Sequence, residues 1–102
     1  MAVSSGYLAK MRRALRRSGT NAAVDEEITD LIEECRRDLI LLGVLEEKAN
    51  NEADSVILGA VRCFVRWKFG VNNPEAARMQ EEYNTLRDEL RRRAEYCTPP
   101  TS

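Results

Sequence analysis

Residues 57–70, Ile-Leu-Gly-Ala-Val-Arg-Cys-Phe-Val-Arg-Trp-Lys-Phe-Gly, constrain the fold of this chain more than any other stretch. In the helix expected over 54–69, Val56, Ile57, Ala60, Val61, Phe64, Val65 and Trp67 cover well over half the circumference. A helix that apolar needs neighbours on several sides, at the centre of a bundle or in an oligomer interface. Gly70 stops it. Val71-Asn72-Asn73 then turns the chain. Asn73 suits an N-cap, Pro74 the first helical position, and Glu75 complements the helix dipole.

The other segments carry the same helical period. Leu8, Met11 and Leu15 lie on one face of a helix expected over 5–17, with Gly19 in the breaker cluster Ser18-Gly19-Thr20-Asn21 to end it. A second helix is expected over 25–42, capped by the Asp25 carboxylate, with Ile28, Leu31, Ile32, Cys35, Leu39 and Leu42 at 3.6-residue spacing. Gly43 ends it and Val44 packs back on Leu39 in a Schellman cap. Leu45 to Glu52 reads as a turn, with Asn50 and Asn51 as candidate caps. From Ala76 the positions Met79, Tyr83, Leu86 and Leu90 form a narrow seam in a helix expected over 74–95. No stretch alternates as a strand would. The expectation is an all-α fold: four helices in a small bundle, the third central and apolar. The expected core is Ile28, Leu31, Ile32, Cys35, Leu39, Val61, Phe64, Tyr83, Leu86 and Leu90. A chain of 102 residues with 43% hydrophobic and 32% charged side chains fits one soluble domain over 1–102, with 1–4 and 97–102 as flexible tails.

Several classes of chemistry have no residues to support them. The chain has no histidine, which removes the commonest general acid–base and the usual partner of a serine or cysteine nucleophile. Cys35, Cys63 and Cys97 are odd in number and not clustered, so no zinc site or disulfide framework is expected. Cys35 and Cys63 read as buried small hydrophobes and Cys97 as a loose thiol. No cofactor and no enzymatic activity are expected. No apolar run reaches the roughly 20 residues of a membrane span, and the N-terminus has no secretion signal, so the protein is expected inside the cell when made.

Charge is distributed unevenly along a chain whose net charge is only −1. Lys10, Arg12, Arg13, Arg16 and Arg17 fall in the first twenty residues, which hold no acid, whereas Asp25, Glu26, Glu27, Asp30, Glu33 and Glu34 follow close behind. Such segregation gives surfaces of opposite sign, suited to head-to-tail contact between copies or to touching a polyanion. The basic stretch reads first as a solvated face or a patch for an acidic partner, and second as a phosphate-binding helix. The acidic run lacks the second carboxylate helix or histidines of a di-metal site, so it too reads as a solvated or partner-facing surface. Arg91-Arg92-Arg93 complements the dipole at a helix C-terminus. Trp67 and Phe69, beside Arg66 and Lys68, read as core or interface anchors rather than as a nucleic-acid platform.

Three stretches, in this order, resemble the head–tail connector (head-completion, or DNA-packaging adaptor) proteins of tailed bacteriophages. They are "MRRALR", "DEEITDLIEECRRDLILLGV", and "ILGAVRCFVRWKFGVNNPEAARMQEEYNTLRDEL" with "AEY" after it. The likeness spans about residues 8–96. It implies a structural virion protein at the head–tail interface, made in the host cytoplasm. Copies would form a homo-oligomeric ring beneath the portal protein, extend the DNA channel without sequence-specific DNA binding, and dock later head-completion or tail proteins. The candidate subunit or partner contacts are Arg12, Arg13, Arg16 and Arg17 on one side and Asp25, Glu26, Glu27 and Asp30 on the other. The alternative is a small helical nucleic-acid-binding or regulatory protein that uses the basic N-terminal helix.

Overall fold

The computed structural model describes residues 2–17 and 21–98. These residues form α1 (Ser5–Ala14), α2 (Ala22–Leu42), α3 (Glu46–Ala49), α4 (Ser55–Lys68), α5 (Ala76–Arg91) and α6 (Ala94–Cys97). No strand occurs among them, so the fold is all-α as the periodicity predicts. The four longer helices answer to the four expected ones, and α3 and α6 are single turns added between and after them. The apolar helix α4 packs against α1, α2 and α5.

The ends of the helices depart from the expected ones for identifiable reasons. α1 is capped by Ser4, whose Oγ accepts from the Tyr7 N–H at 3.1 Å, and it stops at Ala14 rather than Arg17. Arg16 takes the left-handed conformation (φ 58°), and the Arg17 N–H reaches back to the Arg12 carbonyl at 2.9 Å. The stop expected at Gly19 lies outside the described residues. α2 starts earlier than Asp25, because Asn21 Oδ1 accepts from the N–H groups of Ala23 and Val24. Asp25 therefore sits inside the first turn, where it does not cap the helix. Gly43 ends α2 as expected: its φ of 124° is costly for any side chain, and Val44 N–H bonds the Leu39 carbonyl at 2.9 Å. α4 is capped by Asp54, not by Asn50 or Asn51.

At the other end of α4, Gly70 has φ 80°, and Asn73 acts on both sides of the turn. Its Oδ1 accepts from the Glu75 N–H at 3.0 Å while its Nδ2 donates to the Arg66 carbonyl. Pro74 and Glu75 form a turn, and α5 proper begins at Ala76. The single helix expected over 74–95 breaks after Arg91, and α6 folds back. Tyr96 in α6 donates to Asp54 Oδ2 at 2.8 Å, and its carbonyl accepts from the Leu45 N–H at 2.8 Å. Of the residues expected in flexible tails, Ser4 caps α1 and Cys97 lies in α6.

The core joins Ile28, Ile32, Cys35 and Leu39 of α2 to Ile57, Ala60, Val61, Phe64 and Val65 of α4 and to Tyr83 and Leu90 of α5. Tyr7 and Met11 of α1 and Tyr96 of α6 complete it. Leu31 and Leu86, expected in the core, are only half-buried, since each borders a hollow on the surface. Cys63 is half-buried too, its Sγ 3.7 Å from Glu82 Oε2. Cys97 is held, not loose: its Sγ donates to the Leu90 carbonyl at 3.3 Å.

Candidate assembly surfaces

The opposite charges on α1 and α2 meet first within the chain. Arg12 Nη1 lies 3.0 Å from Asp25 Oδ1, a half-buried pair that ties the two helices together. Arg17 stacks over the Phe69 ring at 4.9 Å, and Gly70 N–H donates to Glu27 Oε2 at 3.3 Å. Thus the end of α1, the start of α2 and the α4–α5 turn form one end of the molecule. Lys10, Arg13 and Arg16 have no ion-pair partner among the described residues, and neither do Glu26, Asp30 and Glu33. Of the eight residues predicted as contacts, Arg12 and Asp25 are brought together. Arg17 and Glu27 each touch the α4–α5 segment. Arg13, Arg16, Glu26 and Asp30 are left facing solvent.

Elsewhere the charges serve the fold. Asp38 Oδ2 accepts from Tyr83 Oη at 2.6 Å and from Arg87 Nε at 2.9 Å, and Cys35 Sγ sits 3.7 Å from the same hydroxyl. Burial alone would raise the Asp38 pKa, but the hydrogen bonds from Arg87 and Tyr83 outweigh it and hold the carboxyl low. Burial also pushes the Cys35 thiol up to about 12 and raises the Tyr83 hydroxyl well above its usual range. Both stay protonated at neutral pH, so this network is a structural link between α2 and α5 and holds no poised nucleophile. A second link runs through Glu52, whose carboxylate accepts from the Ser4 N–H and hydroxyl and from Arg36 Nη2 at 3.2 Å. Arg36 is buried against the Tyr7 ring, 5.3 Å from its centroid. Among the described residues no group of three or more His, Cys, Asp or Glu side chains is placed to hold a metal ion. None of their helices is long and apolar enough to cross a membrane.

Two surface features escaped the sequence reading. Leu41 is 86% exposed and Val71 is 96% exposed. Leu41 stands at the rim of a hollow of about 510 Å³ between α2, α4 and α5, floored by Phe64, Trp67 and Tyr83. The three rings pack edge-on or tilted with centroids 5.1 to 6.1 Å apart. Trp67 is only half-buried, so this aromatic cluster is partly open. The signal was available: two residues beyond Leu39, a side chain is rotated by about 200° and cannot share its stripe. Val71 was visible only as an apolar residue inside a polar turn.

The described surface thus carries charges without an ion-pair partner at Arg13, Arg16, Glu26 and Asp30 and exposed apolar side chains at Leu41 and Val71. No curated protein and no solved structure matches the chain significantly. One family of known proteins does, described as phage connector protein, and the match runs over residues 7–97, from the first buried tyrosine to the last helix. The chain therefore belongs to the phage connector protein family, a family of phage structural proteins.

Proposed function

We propose that this protein is a head–tail connector subunit that forms a ring beneath the portal, extends the DNA channel and offers a docking surface to later head-completion or tail proteins. The observation that carries the reading is the family match over residues 7–97. The distribution of charge supports it. Arg13 and Arg16 at one end of α1, and Glu26 and Asp30 on α2, have no ion-pair partner among the described residues, and a heterologous contact needs two such unlike surfaces on one subunit. Arg12 and Asp25 contribute by fixing the angle between the two helices, and Arg17 and Glu27 by holding the α4–α5 turn beside them. In this reading the four long helices act as one bundle around α4, and the subunit works by association alone.

Exposed ion pairs contribute only about 0–1 kcal/mol each, so dilute subunits are expected to be monomeric until a portal gathers them. The test is co-assembly. Purified protein is mixed with portal-bearing capsids of its own phage, and image averages are inspected for an added ring of density. Capsids that lack the protein should lose DNA or fail to join tails; if they do neither, the reading is wrong. Because Lys10 and Arg13 of α1, and Arg16 just beyond it, have no ion-pair partner among the described residues, a second reading as a nucleic-acid-binding protein is tested alongside. It requires DNA affinity in the isolated chain that falls steeply with salt.

A further inference from the structure

We infer that Val71 of one copy seats in the Leu41 hollow of the next, so that subunits join head to tail along α2. This deepens the connector reading and rests on it for the biological setting, but the contact itself is argued from this chain. Val71 and Leu41 are the large hydrophobic side chains that stand most exposed among the described residues, and they occupy opposite ends of α2. Val71 follows Gly70, which bonds Glu27 near the start of the helix; Leu41 lies fourteen residues further on, about 21 Å away along the axis. The hollow runs from Leu41 back along α2 to Glu34 and Lys68. A projecting apolar turn and an aromatic-floored hollow are unlike surfaces, as a heterologous contact requires.

Charge fixes the direction of approach. Val71 shares its surface hollow with Arg16, Arg17 and Arg66; Arg66 pairs with Glu75, and Arg16 and Arg17 have no ion-pair partner among the described residues. On the receiving side, the acidic hollow lined by Glu26, Asp30, Glu33 and Glu34 runs into the Leu41 hollow, the two sharing Glu34 and Arg37. Glu33 and Glu34 precede Leu41 by eight and seven residues, about 10–12 Å along α2. An arginine side chain beside Val71 spans much of that distance. With Val71 seated on Phe64, Trp67 and Leu41, the arginines beside it, Arg16 and Arg17, approach the carboxylate of Glu33, which has no ion-pair partner among the described residues. Within the receiving hollow Lys68 is held by Glu34 at 3.3 Å and Arg87 by Asp38 at 2.9 Å, which leaves Arg37 as the one charge of its lining with no ion-pair partner among the described residues, so the attraction comes from the acidic hollow beside it.

The experiment uses the full chain with single cysteines at the two anchors, V71C and L41C, and a short bismaleimide that bridges nearby thiols. Mixed V71C and L41C preparations, concentrated in solution and separately bound to portal-bearing capsids, should give a covalent dimer. Each variant alone should give no more than the background from the half-buried Cys63 and Cys97. V71D and L41D, both at exposed positions, should melt as the parent does and occupy capsids on the order of tenfold less. The proposal is overturned if the mixed dimer fails to exceed that background in both settings, or if both aspartate variants occupy capsids as well as the parent. If the parent itself ignores capsids, the connector reading fails, and the crosslink in concentrated solution still decides whether the two anchors meet. If the parent binds capsids without a mixed crosslink, the connector reading stands and this contact falls.

Discussion

The two halves of α2 carry charge for different ends. In the second half, Arg36 and Asp38 each reach a partner on another element: Glu52 before α4, and Tyr83 and Arg87 on α5. In the first half, Glu26 and Asp30, with Glu33 just past the midpoint, have no such partner among the described residues, while Asp25 is paired across to α1 and Glu27 accepts from the Gly70 N–H. One helix therefore separates charges that hold the fold from charges that the fold leaves unused. The difference lies in what stands opposite: α4, α5 and the Glu52 loop close over the C-terminal half, while the N-terminal half turns Glu26 and Asp30 to solvent. Stability and assembly should be separable by mutation along this single helix.

The largest effect should come from the stripe between the two. Ile32→Ala removes a fully buried side chain from the contact with α4 and should cost about 2–5 kcal/mol in denaturant unfolding. Its neighbour Glu33→Ala should change stability by no more than about 0.5 kcal/mol. Equal costs at 32 and 33 would mean that the buried stripe has been misassigned.

Next comes the paired half. Glu52→Ala takes the carboxylate from Arg36, a guanidinium with 4% of its side-chain surface exposed, and frees Ser4 at the start of α1. A cost of about 2–3 kcal/mol is expected, smaller than for a fully enclosed pair because Glu52 itself is in part hydrated. Hydrogen exchange should show α1 opening first, since both Ser4 and the Tyr7–Arg36 stack hang on this carboxylate.

Acid gives a third way to divide the halves. In Asp38, Glu52 and Asp54, burial would raise the pKa, yet the hydrogen bonds they accept prevail and set all three below their ordinary values of 3.8, 4.5 and 3.8. A carboxyl with a depressed folded pKa takes its proton first in the unfolded chain, so its contribution is complete above the unfolded value. It is lost as pH falls from there through the folded value. The melting temperature should therefore be flat above pH 4.5 and decline below it. Asp38→Asn should make that decline shallower.

The helices and most of the core were legible because burial imposes a period on the sequence: Ile28, Ile32, Cys35 and Leu39 repeat as one stripe, and Gly43 and Gly70 mark stops where the backbone enters positive φ. What was not legible depends on partners distant in the chain. Nothing near Tyr96 announces that it will reach Asp54, and that reach is what breaks the last helix into α5 and α6. Nothing near Glu52 announces Ser4 and Arg36. Asn21 was passed over as a cap because it sat in a run of turn-forming residues, although Ala22 and Ala23 after it favour helix. Of the proposed contact surface, the charge segregation could be read in advance. Of the apolar anchors, the exposure of Leu41 could be read from its place off the Leu39 stripe, but what it stands beside, Phe64 and Trp67, could not, nor could the company of Val71 and Arg17.

The smallest stability effect belongs to the unpaired half, and its sign is informative. Glu26 and Asp30 are four residues apart and Asp30 and Glu33 three apart, so each pair of like charges should destabilise α2 by roughly 0.2–0.5 kcal/mol. The helix dipole returns part of that at Glu26, near the N-terminus, and little at Asp30 or Glu33. Replacing all three with Gln should therefore leave the isolated chain as stable as before or up to about 0.5 kcal/mol more stable by urea unfolding. In the proposed assembly these carboxylates serve something outside the chain. If that something is the basic end of a neighbouring subunit, the same triple variant should lose most of its occupancy of portal-bearing capsids. A variant that binds capsids as the parent does would leave the acids of α2 as solvated surface, and the two halves of the helix would then differ only in what they bury.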